Sequence, residues 1–302
     1  MPELPEVETT ARMLNERIKN LSISDIWTDY DSSFHKGKEN IKDKRYFTKF
    51  KKELIGKKIL NVERRAKNVL INVSGGKTIL THMKMTGHFL YGKYEFKNKK
   101  WSPTEDGLLK DPFNRFVHLV FTLSNHKHLV LSDMRKFAKV YVFDTKEIKE
   151  NKDLKDLGPE PLEKGFTLKK FKERLLKRSN NKIKTVLMDP EIVAGIGNIY
   201  SDETLWASKI HPETKVKDVN NKKLESLYRN VINILQQSIK VGGDSMSDYR
   251  NPDGEKGKYQ NSHKAYRRTG ERCPLPDCDG IIKKIKVGGR SAHYCDKHQI
   301  LN

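Results

Sequence analysis

Pro2 and Glu3 are the first residues of this chain equipped for covalent chemistry. They stand in the opening run Met1-Pro2-Glu3-Leu4-Pro5-Glu6-Val7-Glu8. Removal of Met1 turns Pro2 into a terminal secondary amine. An α-amino group titrates at about 7.7–8.0, so a useful fraction is unprotonated near neutral pH. Such an amine attacks electrophilic carbon, as a desolvated lysine does. A secondary amine then yields an iminium that is already cationic, an electron sink for breaking nearby bonds. Glu3 beside it can donate and accept protons. Read alone, the same run also suits a plain helix start, because proline fits a first helical turn.

The second set lies in the tail. The chain has three cysteines, all within its last 30 residues. An odd, clustered set suits a metal site better than a disulfide framework. Cys273-x4-Cys278 is followed by Cys295-x2-His298. Three thiolates and one imidazole complete a tetrahedral structural zinc site. Between the pairs, Gly280–Tyr294 has the length and pattern of a β-hairpin, with Arg290 at a basic tip suited to bidentate phosphate recognition. The alternative is three unliganded cysteines, and His293 fits less well as a ligand because it breaks the pairing.

A third candidate is Ala194-Gly195-Ile196-Gly197-Asn198, between two helical patterns. Glycines permit the tight junction of a helix–turn–helix. The helix that follows begins with free N–H groups and a positive dipole end, where a phosphate can bind and Asn198 can add a donor. A plain helix C-cap is the simpler alternative. No strand precedes the glycines, which disfavours a dinucleotide-binding motif.

These groups need elements to hold them. Val7, Ala11, Leu14 and Ile18 recur at helical spacing, which predicts an amphipathic helix over Pro5–Ile18. Strand-like runs follow at Lys58–Val62, Asn68–Val73, Thr78–Leu90, Phe116–Leu123, His128–Leu131 and Lys139–Phe143, with a hairpin turn at Ser74-Gly75-Gly76-Lys77. Asn98–Asp111 reads as a surface loop. Helices are expected from a Thr167 cap to Lys177, over Lys184–Val193 and Asn198–Lys209, and through Leu224, Leu227, Val231, Leu235 and Ile239, closed by Gly242-Gly243.

The chain has 302 residues, 35% of them hydrophobic and 33% charged, enough for two domains with a sizeable core. Lys and Arg number 60 against 39 Asp and Glu, a formal net charge of +21. That field favours a polyanion such as nucleic acid or an anionic membrane surface, although an A/T-biased genome also enriches Lys and Asn. No stretch is apolar enough to span a bilayer, and the first 30 residues lack a signal-peptide core. An intracellular location in cytoplasm or nucleoid, with no membrane partner, is the expectation.

Taken together, the chain resembles the formamidopyrimidine-DNA glycosylase / endonuclease VIII family of base-excision repair. The resemblance rests on Pro2–Glu8, Arg64-Arg65-Ala66-Lys67, His82-Met83-Lys84-Met85-Thr86-Gly87, Ser132-Asp133-Met134-Arg135-Lys136-Phe137, Leu157-Gly158-Pro159-Glu160-Pro161-Leu162, Gly195-Ile196-Gly197-Asn198-Ile199-Tyr200 and the cysteine tail. It implies a two-domain α+β fold. Its parts are an N-terminal catalytic β-sandwich with a leading helix (1–145), a linker (146–165), a helix–two-turns–helix module (166–243), a mobile lesion-covering loop (244–265) and a zinc finger (266–302). DNA would lie in the cleft between domains, and the protein would act as a monomer on double-stranded DNA with oxidised bases or abasic sites.

By the same resemblance, Pro2 attacks C1′ and expels the base, and Glu3 handles protons. The iminium then permits β,δ-elimination of the 3′ and 5′ phosphates. Lys67 matches a lysine on a β-strand near the nucleophile, and Arg290 a finger arginine that grips phosphate in the second elimination. Met85, Arg135 and Phe137 match the trio that fills the void left by the flipped nucleotide. Lys184 and Asn198 match phosphate-binding residues. One zinc ion per chain is implied at Cys273, Cys278, Cys295 and His298. Leu4 and the complete trio look like the formamidopyrimidine branch, which favours oxidised purines. An oxidised-pyrimidine enzyme of endonuclease VIII type and a non-catalytic lesion-binding protein are the alternatives. Departures from the family pattern are His298 for a more usual cysteine, the wide Cys273–Cys278 gap, Met134 for a frequent proline, and Asn114 where a DNA-contacting histidine is common.

Overall fold

In the computed structural model, which describes residues 1–301, the chain divides into two compact units. The first comprises Met1–Lys155 and Val241–Lys258; the second comprises Asp156–Lys240 and Tyr259–Asn302.

The first unit opens with α1 (Leu4–Ile18), which buries Val7, Ala11, Leu14 and Ile18, the stripe expected from the spacing, together with Leu4. There follow β1 (Ile23–Thr28), α2 (Lys44–Leu54), β2 (Ile59–Arg65), β3 (Asn68–Val73), β4 (Lys77–His82), β5 (His88–Gly92), β6 (Tyr94–Lys97), β7 (Lys100–Pro103), β8 (Val117–Leu123), β9 (His128–Ser132) and β10 (Lys139–Asp144). Two antiparallel four-stranded sheets form, in the orders β1-β8-β9-β5 and β10-β4-β3-β2. Their inner faces share one core, with Ile26, Phe89, Leu119, Phe121 and Leu131 from one sheet against Val62, Val69, Ile71, Ile79 and Val140 from the other. This is a β-sandwich.

Three details differ from the sequence expectation. Thr78–Leu90 is not one strand: β4 and β5 belong to different sheets, and Met83–Gly87 carries the chain from one to the other. Gly87 makes that turn possible, because a Cβ there would lie 2.5 Å from the Met83 carbonyl oxygen. Asn98–Asp111 is partly strand, since Lys100–Pro103 pairs with Tyr94–Lys97 as a small hairpin. The helix α2 was not anticipated; its four lysines and one arginine obscure the stripe that buries Phe50 and Leu54.

The second unit contains α3 (Leu168–Leu176), α4 (Ile183–Leu187), α5 (Asn198–Ala207), α6 (Asn221–Lys240), β11 (Ile282–Val287) and β12 (Arg290–Cys295). Thr167 caps α3 by accepting from the Lys170 amide. The helix expected over Lys184–Val193 is only the short α4, after which the backbone turns through Asp189–Ile196. The hairpin β11–β12 pairs Val287 with Arg290 at its tip and Ile282 with Cys295 at its open end. Among the described residues, no helix is long and apolar enough to cross a membrane.

Candidate functional site

In the first unit, the site begins at the head of α1. Pro2 and Glu3 are buried, and Glu3 is the N-cap residue of a capping box with Glu6. The Glu3 amide donates to Glu6 Oε2 at 2.7 Å, while Glu6 Oε1 accepts the Asp244 amide at 2.8 Å. The Tyr249 hydroxyl donates to the Glu6 carbonyl at 3.0 Å. One carboxylate thus fixes the start of the helix to a segment more than two hundred residues away in sequence. That segment was expected to be a mobile cover. Asp244, Ser245, Tyr249, Arg250 and Asn251 are buried, while Met246 and Ser247, and further along Glu255, Lys256 and Lys258, are exposed.

Lys67 does not sit on a strand as expected. Arg65 pairs with Asn68, so Ala66 and Lys67 form the two-residue turn between β2 and β3, with Ala66 at a φ of 53°. Arg64 positions this turn. It donates to Glu8 of α1 at 2.6 Å and to the Ala66 carbonyl at 3.2 Å. Burial pushes the Glu8 carboxyl up, but hydrogen bonds and charge from Arg64 and Arg12 outweigh it and hold Glu8 below its usual range.

Met85, Arg135 and Phe137 are brought together by strand pairing. β4 pairs with β10, matching His82 to Lys139; β5 pairs with β9, matching His88 to Ser132. The turns Met83–Gly87 and Asp133–Ala138 therefore connect the same two strand pairs and run side by side at one end of the sandwich. The Asp133 carboxylate, fully buried, ties them. It accepts from the Thr86 hydroxyl at 2.6 Å, the Ala138 amide at 2.7 Å and the Tyr30 hydroxyl at 3.1 Å. Above this buried base, Met85, Arg135 and Phe137 are exposed, and the Arg135 guanidinium lies 4.5 Å from the centre of the Phe137 ring. Exposed apolar side chains on rigid turns, with a cation stacked between protein and solvent, are what insertion into a base stack requires.

Asn114, offered by the family match as a DNA-binding residue, is engaged within the first unit. It is buried, its Nδ2 donates to the Leu108 carbonyl at 2.9 Å, and its Oδ1 lies 2.9 Å from His88 Nε2. Its side chain holds the loop.

In the second unit, Lys184 faces the interior. It is fully buried, with its ammonium paired to the equally buried Asp202 and 3.3 Å from the Ser201 hydroxyl. The other Asp202 oxygen faces His293 Nδ1 at 2.8 Å and accepts the His293 amide at 3.0 Å. The network fastens β12 to α4 and α5, with Lys184 engaged inside it. Asn198 stands at the first turn of α5 as expected, and its carboxamide oxygen has no hydrogen-bond partner among the described residues. Arg290 is exposed at the hairpin tip.

Cys273, Cys278, Cys295 and His298 converge, with their ligand atoms all within 4.8 Å of one another. Cys278 and Cys295 sulfurs are 3.6 Å apart, and His298 Nδ1 is 3.5 Å from the Cys273 sulfur and 3.6 Å from that of Cys278. A tetrahedral ion with metal–sulfur bonds of about 2.3 Å and a metal–nitrogen bond of about 2.0 Å has ligand–ligand edges of about 3.5–3.8 Å, so the set fits. His298 Nε2 lies 3.3 Å from the Trp206 carbonyl, which fixes the proton on Nε2 and turns Nδ1 toward the thiols. Gly280 leaves room: a Cβ there would strike the Cys295 sulfur.

Comparison with known proteins agrees with this geometry. The family profile for the formamidopyrimidine-DNA glycosylase N-terminal domain matches residues 1–140, and that for the formamidopyrimidine-DNA glycosylase H2TH domain matches 157–250. A formamidopyrimidine-DNA glycosylase of Pelotomaculum thermopropionicum is 36% identical over 295 residues, covering 98% of each chain. That of Bacillus subtilis is 33% identical over 299 residues, covering 99% of each. The solved complex of Lactococcus lactis Fpg with DNA containing an abasic site superposes with a TM-score of 0.83 at 34% identity, over 98% of this chain and 99% of that one. A MutM protein in complex with DNA containing carbocyclic 8-oxo-G gives 0.82 at 34% identity, over 99% of each. The chain belongs to the formamidopyrimidine-DNA glycosylase family.

Proposed function

We propose that this chain removes oxidised purines, 8-oxoguanine and formamidopyrimidines, from double-stranded DNA and then cleaves the resulting abasic strand. It is a bifunctional DNA glycosylase and AP lyase. Family membership and the DNA-bound relatives support the reading. The observation that carries it is the head of α1, where Pro2 and Glu3 are buried and held by the Glu6 carboxylate.

With Met1 removed, the Pro2 nitrogen bonds to C1′ of the damaged nucleoside. The glycosidic bond breaks, and the base leaves with its electron pair and a proton. Glu3 exchanges protons with the sugar as the ring opens, leaving a C1′ iminium. Loss of a C2′ proton expels the 3′ phosphate, and a second elimination expels the 5′ phosphate; hydrolysis then frees the proline. Flipping the nucleotide costs a few kcal/mol. Met85 entering the stack, with Arg135 and Phe137 beside it, offsets part of that. Asn198 and Arg290 hold phosphates, Lys67 acts near the sugar, and the exposed Met246 and Ser247 cover the extruded purine. Zinc is the ion for Cys273, Cys278, Cys295 and His298, where it supplies the cross-link that holds the hairpin.

Borohydride trapping tests the reading. Reduction should link the protein covalently to duplex DNA containing 8-oxoguanine, and Pro2→Gly or acylation of the terminal nitrogen should lower linking on the order of a hundredfold or more. Undiminished trapping by the acylated protein would exclude this nucleophile.

A further inference from the structure

A basic cavity of about 480 Å³ opens beside the wedge in the first unit. Its lining includes Lys38, Lys42, Lys84, Lys139 and Lys152, with Phe137 as one wall. Two of these cations are compensated: Lys139 pairs with Asp153 at 2.7 Å and Lys152 with Glu39 at 3.3 Å. Lys38, Lys42 and Lys84 have no carboxylate within ion-pair distance among the described residues. The lining carries five lysines against one carboxylate, Glu39, an excess of positive charge that favours an anion.

The cavity is built rather than incidental. Lys42 is buried and anchored, its ammonium donating to the Lys136 carbonyl at 2.6 Å. Lys84 and Lys136 both adopt left-handed backbone, at φ of 56° and 53°. Such conformations cost energy outside glycine and persist where function requires them. Lys84 directly precedes Met85, and Lys136 lies between Arg135 and Phe137, so the strained residues flank the wedge. Burial depresses both ammonium groups; at Lys42 the Asp133 carboxylate opposes this and Lys84 adds to it, and at Lys84 the Lys139 cation adds to it while Asp153 opposes it. The outer rim is the loop around Phe34, which is 76% exposed and has the Lys38 ammonium 3.8 Å from its ring centre.

We propose that this cavity binds the DNA backbone at the step adjoining the Phe137 wedge, with Lys38 and Lys84 holding phosphates and the buried Lys42 adding positive charge behind them. The proposal rests on the repair reading above. The occupant is duplex DNA rather than a small anion, because the cavity is continuous with the exposed wedge and its cations are spread along its wall. Its consequence is mechanical: a backbone clamped beside the inserted side chains cannot slide away as the stack opens.

The test measures affinity for a duplex carrying a tetrahydrofuran abasic analogue across a salt series. Each lost phosphate contact lowers the slope of log K against log salt by about 0.9. Lys38→Gln with Lys84→Gln should lower it by about 2 and weaken binding roughly ten- to hundredfold at 0.1 M salt. Lys97→Gln, in β6 beside Glu95 and outside the cavity, should leave both unchanged. Ethylation interference should lose protection at phosphates next to the wedge in the double variant. An unchanged slope in a double variant with native circular dichroism would overturn the proposal. Borohydride trapping of the unsubstituted protein on 8-oxoguanine DNA separates the two readings: trapping with an unchanged slope removes only the cavity, whereas absent trapping removes the repair reading itself.

Discussion

The Thr86 hydroxyl donates to Asp133 at 2.6 Å and accepts the Arg135 amide at 3.1 Å. One oxygen therefore couples the turn that bears Met85 to the turn that bears Arg135 and Phe137. Thr86→Val keeps the shape and removes the hydroxyl, leaving a buried carboxylate oxygen and an amide short of a partner. The expected cost is about 1–3 kcal/mol, read as a lower urea midpoint. Single-turnover excision of 8-oxoguanine should fall about tenfold, which corresponds to about 1.4 kcal/mol of barrier. Trapping at a preformed abasic site should change less, because no base remains to be expelled. Equal losses on both substrates would argue against a role in opening the stack.

Lys184 distinguishes a buried structural cation from a phosphate ligand. Lys184→Met strands the Asp202 carboxylate, and breaking such a pair costs about 3–5 kcal/mol. The melting temperature should drop, while the salt slope of DNA binding in the folded protein stays the same. A slope lower by about 0.9 would instead place a phosphate on this lysine.

The metal set predicts a divided response. Cys295→Ala should abolish metal binding by elemental analysis and weaken DNA affinity. Trapping at saturating protein should persist, because Pro2 and Glu3 belong to the other compact unit. Full metal content in the variant would contradict the ligand assignment.

His82 supplies a pH dependence. Burial and the charges of Lys84 and Lys67 depress its imidazole from 6.5 to about 3. Its Nδ1 accepts the Lys84 amide at 3.0 Å, so the neutral ring holds the strained residue before Met85. The unfolded chain takes up a proton near pH 6.5 while the folded one refuses it. Stability is therefore complete above about 6.5 and is lost as pH falls toward 3, on the order of 2–4 kcal/mol over that range. His82→Asn, measured by urea unfolding between pH 7 and 4, should flatten this limb. A limb of unchanged steepness would show that other groups cause it.

Much of the site was legible in the sequence because its signals are local. The α1 stripe, the Thr167 cap, the Gly195–Asn198 junction and the cysteine spacing each lie within one or two turns of chain. The burial of Lys184 and Asn114 was not legible: residue type and position in a motif say nothing of it, and it depends on Asp202 in one case and on His88 and Leu108 in the other. Asp133 and Glu6 were quoted within motifs, yet their organising roles were not visible, because every partner that reveals them is distant or donates from backbone.

The amino-acid order by itself determined which groups are present: a proline one residue from the start, a glutamate beside it, four soft and imidazole ligands in the tail, and a large positive charge. Only tertiary structure decided which of them meet and which face water. Met85 and Arg135 are 50 positions apart in the chain. They become neighbours because β4 pairs with β10 while β5 pairs with β9, a choice made by burial of two sheet faces that no local pattern encodes.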